Sequence, residues 1–114
     1  MNTAQQIQQV ELSIDEAKEH IQKMNALIRL SNSKDYQQVF LQGFFKDYAI
    51  QQVMLKSDPS QQNDADQKVI IENINSIGSL RVHLHGIMAQ GRAAEGALHD
   101  HEETREELLE EDAA

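Results

Sequence analysis

The sequence predicts an all-α fold: an elongated three-helix bundle of long helical hairpins, its third helix overhanging and ending in acid. Three observations carry that reading. A heptad pattern runs through the first thirty residues, a second stretch holds every aromatic ring, and from about Ala65 nothing breaks a helix before the end of the chain.

The first helix is read over Thr3 to Leu30. Ile7, Val10, Ile14, Ala17, Ile21, Met24 and Ile28 step alternately by three and four, the spacing of an a/d seam. The residues between them are mostly Gln, Glu, Lys and Asp. A stripe this narrow packs against one or two neighbours and leaves the rest of the helix in water. The helix-packing seam of Ile7, Val10, Ile14, Ile21, Met24 and Ile28 is expected to meet a hairpin partner within the chain, ahead of an intermolecular coiled coil.

SNSKDY interrupts the pattern. Asn32 and Ser33 are good N-cap types, and Asp35 suits the positive end of a helix dipole. A second helix follows over about Lys34 to Lys56. Tyr36, Phe40, Phe44 and Tyr48 recur every four residues, with Phe45 beside them. Base stacking would require basic residues among the rings, and only Lys34 and Lys46 are near. The rings are therefore read as core, and the width of the apolar face makes this helix the expected innermost one. KSDPSQQNDAD is the one extended loop. Pro59 pushes Asp58 toward extended backbone, and Asp64 or Asp66 is expected to cap the next helix.

The third segment carries Ile70, Ile74, Ile77, Leu80, Leu84, Ile87, Gly91, Ala94 and Leu98 on one side. It also contains Gly78, Gly86, Gly91 and Gly96, each costing about 1 kcal/mol relative to alanine inside a helix. Close approach of another helix, a kink, or a split near Gly86 or Gly91 would account for them.

Charge divides the chain into a helical bundle over 1–99 and an acidic tail over 100–114. The tail carries −7 of the formal −9. A nearly neutral body with an acidic end is unsuited to gripping phosphates, so no direct nucleic-acid partner is expected. No stretch reaches the roughly 18 apolar residues of a membrane span, and the first twenty residues lack the pattern of a signal peptide. Without cysteine there is no disulfide or thiolate chemistry.

The spacing of the five histidines argues against a metal site. Glu16 and His20 are four apart, and Glu95, His99 and Glu102 or Glu103 share a face. His83 and His85 point to different sides, and no Glu-x-x-His pair occurs. No metal, cofactor or catalytic residue is assigned; no phosphate loop or nucleophile motif is present. A non-enzymatic role is expected.

In the tail the seam spacing continues to His101, Arg105 and Leu108, which are mostly polar, so the internal core is expected to end near Leu98. Like charges at i,i+4, such as Glu102 with Glu106, weaken an isolated helix by a few tenths of a kcal/mol each. One reading is a solvated, fraying end. The other is a helix ordered on a basic partner through Leu98, Leu108 and Leu109, with Glu102, Glu103, Arg105, Glu106 and Glu110 completing the partner-binding set.

Taken together, the stretches Asn32–Phe45, Ile70–Leu84 and Gly91–Glu111 resemble small all-helical proteins of tailed bacteriophages. The shared features are an N-x-D-aromatic start, an Ile-rich helix, a G-x-A-A-E segment and an acidic end. The resemblance implies a virion or assembly role, in the virion or the host cytoplasm. Partners would be other virion or assembly proteins, with the chain a homo-oligomer or part of a larger complex. An acidic protein that inhibits a basic host nucleic-acid enzyme by charge mimicry is the alternative.

Overall fold

A computed structural model describes residues 2–114. It is all-α: α1 spans Thr3–Ser31, α2 Lys34–Tyr36, a π-helical segment Gln37–Tyr48, α3 Ala49–Ser57 and α4 Asp64–Ala113, with a short 3₁₀ turn at Pro59–Gln61. α4 is continuous over 50 residues, as the absence of a break signal predicts, and the alternative split near Gly86 or Gly91 does not occur.

Caps explain where the helices begin. Asn2 Oδ1 accepts from the Gln5 N–H at 2.8 Å while Gln5 Oε1 accepts from the Asn2 N–H at 3.2 Å, a reciprocal pair that satisfies donors the first turn leaves open. Ser33 Oγ accepts from the Tyr36 N–H at 3.1 Å. Asn63, rather than the expected Asp64 or Asp66, caps α4: its Oδ1 accepts from the Asp66 N–H at 2.9 Å, and its Nδ2 donates back to Asp66 Oδ2 at 2.6 Å. The two aspartates lie in the first turn instead, where their charge suits the dipole.

The chain forms two compact units, 1–27 with 86–114, and 28–85. In the first, α1 and the later part of α4 make a two-helix seam. Val10, Ile14, Ala17, Met24 and Leu27 are buried from α1, with Ala94 from α4; Ile14 is only 2% exposed. Burying such a side chain stabilises by about 1.5–3 kcal/mol. Ile7 and Ile21 are half-buried. No residue beyond Ala94 is buried, in keeping with a core that ends near Leu98, but His101, Arg105 and Leu108 stay half-buried at the same spacing. A polar side chain can hold such a half-buried position when its apolar part is covered and its polar end stays in water. Residues 100–113 accordingly continue α4.

The second unit pairs the run Lys34–Ser57 with the first part of α4. Tyr36, Ile70 and Ile77 are its buried apolar residues. The expectation that the aromatic helix is innermost is corrected here. Its π-helical part buries no residue, and Gly43, Phe44, Phe45 and Tyr48 are only half-buried.

Candidate interaction surface

Of the four-residue aromatic ridge expected as core, only Tyr36 is buried; Phe44 and Tyr48 are half-buried, and Phe40 is 39% exposed. The rings satisfy one another along the helix. Tyr36 stacks on Phe40 at 5.2 Å and Phe44 on Tyr48 at 5.5 Å, with Phe45 edge-on to Phe44 at 5.4 Å. Arg81 of α4 lies 6.0 Å from the Phe45 ring centre, at the outer range of a cation–π contact.

The inner side of α3 centres on a residue that the sequence pattern missed. Gln52 is 3% exposed, and its Oε1 accepts from Asn73 Nδ2 at 3.2 Å. A buried amide needs such a partner, since leaving it unpaired costs about 1–3 kcal/mol. The signal was present in the spacing Ile70–Asn73–Ile77, which puts an amide on the seam, where it fixes register.

The same run is apolar and open over much of its exposed surface. Val39, Leu41, Ile50, Val53 and Met54 are exposed, Met54 by 66%. On α4 of this unit, Val69, Ile71 and Val82 are exposed as well, and an added Cβ at Gly78 would meet nothing within 4 Å. Eleven of the thirteen exposed large apolar residues belong to this unit. Scattered exposed apolar residues are ordinary, and this concentration makes the unit the candidate interaction surface.

The loop between α3 and α4 is cross-braced rather than loose. Gln62 Nε2 donates to the carbonyls of Lys56 and Asp58 at 2.9 and 2.7 Å, and Gln67 Nε2 to those of Lys56 and Gln61 at 3.1 and 2.9 Å. Asp58 is extended, as a residue before proline should be. The Ser60 N–H and hydroxyl, both donating to Asp58 Oδ1, hold its carboxyl below the usual value of 3.8.

The acidic end of α4 is a different kind of surface. Thr104 and Leu108 line a shallow groove with Gln6, Gln9, Val10 and Ser13 of α1, so Leu108 is engaged within the chain. Leu98 and Arg105 are half-buried. Glu102, Glu103, Glu106, Leu109 and Glu110 are exposed. His99 Nε2 lies 3.3 Å from Glu103 Oε1 one turn on, with both side chains mostly exposed, a geometry worth little in water.

A second groove has Ala17, Ala93, Ala94 and Ala97 at its base and Glu16, His20 and His101 among its walls. Among the described residues, no three His, Asp or Glu side chains are placed to hold a metal ion. No described helix is long and apolar enough to cross a membrane.

Comparisons with protein-family models, curated proteins and solved structures return no match for this chain.

Proposed function

We propose that this chain is a non-enzymatic structural or interaction protein that packs through its long helices into a larger particle. Following the sequence resemblance, that particle is a tailed-phage virion or an assembly intermediate, and the role is head-associated. The observation that carries the reading is the open apolar surface of the unit 28–85, where only Tyr36, Ile70 and Ile77 are buried apolar residues. A helical hairpin with so little core of its own gains stability by covering that surface with protein.

The alternative is inhibition of a basic host enzyme, which rests on the exposed acids of α4, including Glu102, Glu103, Glu106 and Glu110. It is the weaker reading, because a mimic of nucleic acid needs charge spread over a broad face, and the unit 28–85 has six acids and six bases.

Capture from infected-cell lysate, read by mass spectrometry, separates the two. With the intact chain as bait, the first reading expects capsid, portal or tail proteins, lost with Met54→Glu and insensitive to moderate salt. A single basic host enzyme, released by salt and still bound by Met54→Glu, would replace it with the inhibitor reading.

A further inference from the structure

We propose that the outer face of the run Lys34–Ser57 is a self-association surface, occupied by the same face of a second copy in antiparallel, two-fold arrangement. The proposal rests on the interaction reading above and names the partner.

The first argument is exposure. Six of the thirteen exposed large apolar residues among the described residues, Val39, Phe40, Leu41, Ile50, Val53 and Met54, lie within Lys34–Ser57, and such a concentration favours a surface that protein covers.

The second argument is charge. The formal −9 falls entirely on residues 1–27 and 86–114, and residues 28–85 sum to zero. Two copies meeting through the acidic unit would repel each other. Through 28–85 they meet without net repulsion.

The third argument is the pattern within the face. The exposed apolar residues run from Val39 to Met54, and the middle of that span is the pair Lys46–Asp47. Two-fold interfaces are self-complementary: if one residue meets another, the reverse contact also forms. An axis between Lys46 and Asp47 brings Lys46 of each copy to Asp47 of the other. The same axis brings Val39 to Met54; Leu41, two residues from Val39 and so on another side of the helix, takes no part in the face. Asp47 Oδ1 already accepts from Gln42 Nε2 at 3.0 Å, which leaves its second oxygen for a lysine. The single ion pair among the described residues is His99 with Glu103, so Lys46 is unpaired within the chain.

Sedimentation equilibrium of the purified full-length protein tests this, with circular dichroism checking that each variant keeps its helix content. The expected result is a dimer whose Kd rises about 100-fold or more with Val53→Glu, because an unpaired charge is forced into a dry contact. Leu109→Glu, in the acidic unit, leaves the dimer intact. Lys46→Glu and Asp47→Lys each weaken self-association alone, and an equimolar mixture of the two associates again, since each then meets opposite charge. This rescue keeps the test decisive even where Val53→Glu disturbs the fold.

A wild-type monomer at about 100 μM would overturn the proposal, that concentration being far above the Kd of a specific dimer. So would a dimer untouched by Val53→Glu, or a charge-swapped mixture that fails to associate. A monomer that still captures virion proteins would remove the second copy as occupant and leave the proposed function standing.

Discussion

The two units divide the molecule's chemistry between them. Among the described residues, 1–27 and 86–114 bury Val10, Ile14, Ala17, Met24, Leu27 and Ala94, and leave two large apolar residues exposed, Leu12 and Leu109. Residues 28–85 bury three apolar residues and expose eleven large ones. The first unit carries the whole net charge, and the second carries none. A hairpin that completes its seam can afford a repelling, solvated exterior. The unit that leaves more of its apolar surface open carries no net charge, which suits the proposed covering by protein.

The comparison breaks first at Ile14. If the first unit supplies its own core, Ile14→Ala should cost about 2–5 kcal/mol in denaturant unfolding. A loss below 1 kcal/mol would mean that the seam is not where stability lies. The aromatic helix offers the next contrast. Tyr36→Ala should cost about 3 kcal/mol, and Phe40→Ala well under that, because Phe40 remains 39% exposed. Equal losses would restore the aromatic ridge as a core.

Glycine gives a contrast along one helix. An added Cβ at Gly91 would collide with Met24 Cβ, which cannot swing away, and would lie 2.6 Å from its Sδ. Gly91→Ala should therefore destabilise by about 1–3 kcal/mol. At Gly96 an added Cβ meets nothing within 4 Å, so Gly96→Ala should stabilise by up to about 1 kcal/mol through helix propensity. Thermal unfolding reads both, and a common sign would contradict the close approach at Met24.

Smaller still is removal of residues 100–114. It uncovers the part of α1 that Thr104 and Leu108 lie against and should cost about 1 kcal/mol, partly offset by relief of like charges. The smallest effect is at Asp58, whose folded-state pKa is lowered by the Ser60 donors. A lowered carboxyl stabilises the fold above its unfolded value, and that contribution disappears as pH falls through the folded value. The acid limb of the stability curve should flatten slightly in Asp58→Ala; an unchanged limb would show that the cap contributes nothing.

The sequence made some of this legible and hid the rest for identifiable reasons. The seam from Ile7 to Met24 could be read because periodic isoleucines have few other uses on a polar helix. Ile28, at the end of the same pattern, is exposed, since periodicity says which residues share a face and not how far the partner helix covers it. His101 and Arg105 concealed the continuation of α4's seam because residue type masks a buried stem. Gly91 stood among four similar glycines, and only the position of Met24 distinguishes it. The rings at Tyr36, Phe40, Phe44 and Tyr48 were visible, but a wide apolar face looks the same whether the chain covers it or leaves it for a partner. Here the chain buries Tyr36, half-buries Phe44 and Tyr48, and leaves Phe40 exposed.

Hydrogen exchange at several protein concentrations tests the contrast between the units most directly. The account predicts slow, concentration-independent exchange in residues 10–27 and 88–105. Amides of residues 37–57 should exchange faster in dilute protein and become protected as concentration rises. Equal protection in both units at every concentration would contradict it, because the second unit would then be complete without a partner.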